Sequence, residues 1–281
     1  MLRSALAYVY YQHANIGLEP IDEFRSLARE HADRALAQDQ EATLAHLALG
    51  LLSTFQNPPE GVRSLKRVLE LDPNNVDARL WLALVVGLAW RPDAGRVYLE
   101  AARALDPLHP LIDFIHANLF TMSGDFERAT QVLRSSLQSG TITDWQLALN
   151  LAYLSRRGEA SRLFHQAFRG SEGHVVPWLC QVLRHALRDE HESAWRILRS
   201  NLHPSPAVHH DFMYALYVAE CHALLDDIAG ALEWLERSVE LGMINFPFLN
   251  EHDPLLAPLR TEGRFQDLME RVKRDWEALE T

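Results

Sequence analysis

Fourteen of the 281 residues are histidine, and eight of them fall between His165 and His222. Imidazole is a common zinc ligand and the side chain best suited to proton transfer near neutral pH, so this density raises metal chemistry first. The candidate ligand set is His203, His209, His210 and His222, with Asp226 one helical turn beyond. Helical metal sites place their ligands on one face as His-x-x-x-His or Glu-x-x-His, and neither spacing occurs among these residues. They read as scattered surface and turn histidines, and no metal is assigned. A helical metalloenzyme using the region between His203 and His222 stays as an alternative. Gly170-Ser171-Glu172-Gly173 lacks the lysine and the preceding strand of a phosphate loop. Ser193 and Ser238 lie within helical patterns with no base partner visible in sequence. The reading is therefore of a chain without enzymatic activity, with no catalytic residue and no cofactor.

Charge and composition exclude further classes. The formal charge is -11, from 38 acidic and 27 basic residues, which opposes nucleic-acid binding because that needs a concentrated basic face. Cys180 and Cys221 stand in apolar surroundings without a second ligand-type residue nearby, and read as small buried hydrophobes. The densest apolar run, Leu80 to Trp90, is too short to cross a bilayer. The N-terminal stretch MLRSALAYVYYQHAN has no small-x-small cleavage site. A cytoplasmic location is expected, with a periplasmic one if the chain belongs to a membrane-anchored parent.

What positions these residues is a repeat. Leu71-Asp72-Pro73 returns 34 positions later as Leu105-Asp106-Pro107, and the same offset links Leu65, Leu99 and Leu133, then Gly61, Gly95 and Ala129, then Ala83 and Ala117. A fixed period of this size signals a repeat architecture. Within one period, Val76 to Ala89 and Ala94 to Leu105 carry helical patterns, separated by Trp90-Arg91-Pro92-Asp93. Proline fits the first turn of a helix and not its interior, so Pro92 opens a helix and Pro107 follows the end of one. Each period is thus a helical hairpin, with small residues where the helices cross and large apolar ones around them.

On these residues the chain resembles the tetratricopeptide repeat (TPR) family. The unit beginning at Val76 places Ala83, Gly95, Leu99, Ala102 and Pro107 at the family's signature positions, and the next unit supplies Ala117, Ala129, Leu133 and Ser136, with Thr141 in place of the proline. Weaker copies follow at Gly50, Gly61 and Pro73, at Ala160, Phe164 and Ala167, at Ala194, Leu198 and Asn201, and at Ala231, Leu235 and Ser238. Ala28, Ala32 and Ala35 mark the second helix of the first copy. The resemblance implies an all-α, right-handed α-α superhelix, a TPR-like solenoid of about seven helical hairpins. These span 1–38, 43–71, 76–105, 110–138, 143–168, 175–201 and 211–241, and a C-terminal cap covers 253–279. The two ends of the chain are also similar to TPR regions at the C-terminus of bacterial signalling proteins that carry a cyclase, a kinase or a winged-helix regulator.

The family's groove positions, carried over, are Leu44, Leu47, Leu51 and Phe55, then Leu80, Leu84 and Leu88, then Leu111, Phe114, Asn118 and Met122, then Trp145, Leu149 and Tyr153. Further on they fall on Leu179, Leu183, Leu187, Met213 and Leu216. A carboxylate clamp of the chaperone-binding kind needs lysine and asparagine here, and Asn118 is the one match. An apolar strip suits an amphipathic helix instead. The resemblance implies a protein, peptide or effector-domain partner in this groove; self-association through it is the alternative, and core packing of the same residues competes with both.

Overall fold

The computed structural model describes residues 2–15, 20–136, 140–167, 175–200 and 206–279. Gly170-Ser171-Glu172-Gly173, Asn201 and His203 lie outside them. The described residues hold fifteen α-helices and no strand. They fall into two compact units, Met1–Gly87 with Asp93–Ile112, and Leu88–Pro92 with Asp113–Thr281.

The first unit contains α1 (Leu2–Asn15), α2 (Ile21–Leu36), α3 (Thr43–Ser53), α4 (Pro58–Leu71) and most of α5 (Val76–Ala89) and α6 (Pro92–Leu105). Its helix starts are written in the sequence. Asn57 accepts a hydrogen bond from the Glu60 N–H at 3.3 Å with Pro58 in the first turn, and Asn75 Oδ1 accepts from the Ala78 N–H at 2.9 Å. Such caps satisfy amides that have no partner inside the helix. Ala7, Ala32, Ala35, Ala45, Ala48 and Leu49 pack into one cluster, so small side chains let α1, α2 and α3 approach closely. Where α3 meets α4, a Cβ on Gly61 would lie 3.2 Å from the Gly50 carbonyl, and one on Gly50 would lie 2.6 Å from Leu65 Cγ. That crossing explains why glycine stands here.

The second unit contains α7 (Leu111–Met122, from Asp113 on), α8 (Phe126–Ser135), α9 (Thr141–Tyr153), α10 (Arg157–Ala167), α11 (Val175–Ala186), α12 (His191–Leu198), α13 (Phe212–Leu224), α14 (Ile228–Glu240) and α15 (Gly263–Glu277). Four of its hairpin turns share one device. Gly124, Ser155, Asp189 and Asp226 all take positive φ, between 58° and 78°. The following residue opens the next helix, and where it is Asp125 or Asp227 its carboxylate accepts from Arg128 N–H or Gly230 N–H, each at 3.2 Å. Glycine takes the left-handed conformation freely, whereas serine and aspartate do so at a cost.

After α14 the chain turns at Gly242, φ 113°, and runs through residues 243–259 without returning to an α-helix. A single π turn, Phe248–His252, and a 3₁₀ turn, Ala257–Leu259, break this stretch before α15. Met243, Asn245, Phe248, Leu249, Asp253, Leu256 and Leu259 are all buried in it. Residues 243–252, which carry no helical period in the sequence, precede the expected cap of 253–279 and hold buried side chains of their own.

Candidate functional site

The carried-over groove residues can now be placed. In the first unit Leu47, Leu51, Leu80 and Leu84 are buried, while Leu44 and Phe55 are half-buried, the Phe55 ring meeting Trp81 edge-on at 6.3 Å. In the second unit Leu88, Asn118, Met122, Trp145, Leu149 and Tyr153 are buried and Phe114 is half-buried. Asn118 donates to the Phe114 carbonyl of its own helix at 3.0 Å. Leu179, Leu183, Leu187, Met213 and Leu216 are buried as well, and Leu111 is half-buried.

In the second unit residues 243–259 pack against part of this set. They reach the last carbonyls of α5 and α7. The Ile244 N–H donates to the Ala89 carbonyl at 2.8 Å, and Asn245 Nδ2 donates to the Met122 carbonyl at 3.3 Å. The last carbonyls of a helix have no partner within it, so this segment supplies two of the missing donors. Asn245 Oδ1 in turn accepts from the Phe248 N–H at 3.3 Å, which starts the π turn. Phe248 then stands edge-on to Tyr153 at 6.1 Å, and His252 lies against Gly124, where an added Cβ would be 2.7 Å from the imidazole. Trp145, the strongest groove candidate by sequence, lies between Phe164 at 5.5 Å and Tyr217 at 5.2 Å.

Beneath the segment lies a polar cluster. The Tyr153 hydroxyl donates to Glu220 Oε1 at 2.7 Å, and the Glu220 carboxyl faces that of Asp253. Both acids are 0% exposed. Asp253 Oδ1 accepts from the Leu255 N–H at 2.8 Å, but among the described residues no donor reaches Glu220 Oε2 or Asp253 Oδ2. Two carboxylates cannot hydrogen-bond each other unless one carries a proton. Burial, then the Asp253 charge, holds the Glu220 carboxyl well above its usual range. Burial also pushes Asp253 up to about 6, against the pull of the Leu255 N–H. Tyr153 and Tyr217 are raised well above 10 by burial and then by the Glu220 charge. Sequence reasoning missed Asn245, Glu220 and Asp253. A glutamate inside the apolar helix FMYALYVAECHAL was the one visible signal.

A second contact seats the cap. Trp276 Nε1 donates to the Trp90 carbonyl at 3.1 Å, Arg91 donates to the Trp276 carbonyl at 2.8 Å, and the Arg91 guanidinium lies 4.1 Å above the indole. Arg264 pairs with Glu236 through two 2.7 Å bonds, tying α15 to α14.

The histidines are dispersed. His222 Nδ1 pairs with Asp227 at 2.8 Å beside Trp195, His209 stacks on Trp234 at 5.0 Å, and His210 is exposed. Among the described residues no three histidine, cysteine, aspartate or glutamate side chains converge on a point that could hold a metal. Cys180 and Cys221 are free and buried, and burial pushes the Cys180 thiol up to about 12.

Comparison with known proteins adds the fold class. No protein-family model and no curated protein sequence matches the chain. Among solved structures, the APC/C hetero-tetramer Cut9-Hcn1 is similar with a TM-score of 0.53 at 15% identity, over 95% of this chain and 52% of that one. This chain thus spans about half the length of that relative. The structure from the characterisation of Pseudomonas aeruginosa PilF gives 0.45 at 17% identity, over 86% of this chain and 99% of that one, and yeast Tom70 gives 0.43 at 13%, over 92% and 60%. The fold is all-α and TPR-like, of the α-α superhelix class.

Trp145, Leu149 and Tyr153 on α9 and Met213 and Leu216 on α13, the positions expected to line a groove, are buried in the second unit, as are Tyr217 and Glu220 on α13. No helix among the described residues is long and apolar enough to cross a membrane.

Proposed function

We propose that this chain is a protein-interaction scaffold that takes up a partner polypeptide on the concave face of its hairpins. The observation that carries this reading is the chain's own segment 243–253. It lies along the hairpin ends through a backbone amide on Ala89, an asparagine side chain on Met122 and a phenylalanine against Tyr153. This packing supports a face that receives polypeptide, here a segment of the same chain. A partner is assigned to the half-buried positions, Leu44 on α3, Phe55 just beyond its end and Phe114 on α7, each treated on its own. An apolar peptide helix is the ligand class that suits them.

The ends of the chain, similar to TPR regions of bacterial signalling proteins, support a regulatory partner or an attached effector domain, in the cytoplasm. Self-association is the competing reading; exposed Leu2, Val97, Leu105 and Leu108 supply apolar surface for it.

The test is capture of partners on the immobilised chain with Phe55→Glu and Phe114→Glu as paired controls, each checked for native helix content, and with mass by light scattering. Leu84 is 5% exposed, so a glutamate there would break the fold and report nothing about binding. Loss of a captured protein in either control supports the scaffold. Capture unaffected by both refutes it, and a dimer dissolved by either change transfers the face to self-association.

A further inference from the structure

Glu220 and Asp253 join two elements that local structure does not hold together, a mid-helix position of α13 and the end of the π turn in the buried segment. The groups around them are few. Tyr153 approaches from α9, Tyr217 and Cys221 from α13, and Arg260 from beyond the 3₁₀ turn, where it donates to the Glu251 and Asp253 carbonyls at 2.9 and 2.8 Å. Arg260 spends its Nη2 on these backbone oxygens while its charge draws Asp253 down, and Tyr153 donates its single proton to Glu220. Arg260 is the one cation among these groups, and its pull on Asp253 is outweighed by burial, so two buried negative charges are not both matched.

We propose that the Glu220–Asp253 pair is a proton-dependent latch: a proton shared between the two carboxyls holds segment 243–259 on the second unit, and its loss to water frees the segment and uncovers the concave face of α9 and α13. The linkage sign follows from burial. Both acids bind their proton more tightly when the segment is seated than when it is open, so the open state gains as pH rises. For Asp253 the window runs from 3.8, its ordinary value, to about 6, and Glu220 extends it upward. The tyrosines stay neutral throughout, since burial raises them further. That a partner then occupies the uncovered face rests on the scaffold reading above; the opening itself needs none.

The experiment is native-state amide hydrogen exchange on the full chain between pH 4 and 8, corrected for the intrinsic rate. Its reporters are the Ile244, Asp253 and Leu255 amides, with amides of α3 and α4 in the first unit as reference. The opening equilibrium of the reporters should rise about a hundredfold, the ratio that corresponds to carrying one carboxyl up about two pH units, while the reference stays level. Glu220→Gln gives Asp253 an amide donor and should flatten the rise, and Asp253→Asn, which keeps the acceptor for Leu255, should do the same. The histidines, His252 included, are common to all three proteins and cancel. A level wild-type profile overturns the latch, as does a rise shared equally by the reference amides or one retained in whichever variant folds. Failure of partner capture with the rise intact would sink the scaffold reading and leave the latch standing.

Discussion

Asp226→Gly should stabilise this protein and Gly124→Ala should destabilise it, although both residues hold the same place in their hairpins. Asp226 has φ 58° and is exposed, and its carboxylate caps nothing; the cap of α14 is Asp227. A left-handed residue other than glycine costs roughly 1–2 kcal/mol, and glycine gives back roughly 0.5–1 kcal/mol through the greater freedom of its unfolded chain. The net gain is about 0.5 kcal/mol. Ser155 and Asp189, at φ 58° and 59°, are exposed and sit in separate hairpins. The three changes to glycine should therefore add to about 1.5 kcal/mol. The exposed pair of Asp189 with Arg157 contributes little to set against this. Gly124 at φ 78° has its added Cβ 2.7 Å from His252 Cγ. Alanine there brings both the left-handed cost and a forced shift of the imidazole, about 2 kcal/mol together. Thermal unfolding by circular dichroism reads both: the triple glycine variant should melt roughly 3–6 °C higher and Gly124→Ala lower, at about 2–4 °C per kcal/mol for a chain of this size. A triple variant that melts below wild type, or a neutral Gly124→Ala, would refute the account of these turns.

Other outcomes follow from the same geometry. Asn245→Leu keeps the branched shape, with a larger side chain, but leaves the Met122 carbonyl and the Phe248 N–H unpaired; it should cost about 1–3 kcal/mol in urea unfolding, and a neutral result would show that water replaces the side chain. Cys180 and Cys221, buried and held as thiols, should react with a disulfide reagent only once denaturant is added. Asp227 is lowered: partial burial raises it, but His222 and the Gly230 N–H outweigh that. Its contribution is present above its ordinary value near 3.8 and is lost as pH falls through the lower folded value. His222→Ala should therefore weaken the protein at neutral pH and much less once acid has protonated Asp227, as read by urea midpoints.

The sequence alone determined the hairpins. Their ends are set by local chemistry, as with Asn57 before Pro58, Asp125 after Gly124 and Asp106-Pro107 after Leu105, and their crossings by the 34-residue recurrence of small residues at Gly61, Gly95 and Ala129. Helical period and capping act over a few residues, so they can be read from letters. Tertiary structure decided what the concave residues do. Trp145, Leu149 and Tyr153 carry the same spacing whether they face a partner or a core. Trp145 is buried between Phe164 and Tyr217, and Tyr153 meets Phe248 of residues 243–259, a segment with no period, which also reaches α7 about 120 residues away through Asn245 and the Met122 carbonyl. The pairing of Glu220 with Asp253 was equally out of reach. A buried acid is stable only beside the group that completes it, and that group comes from a distant stretch which only the folded chain brings near.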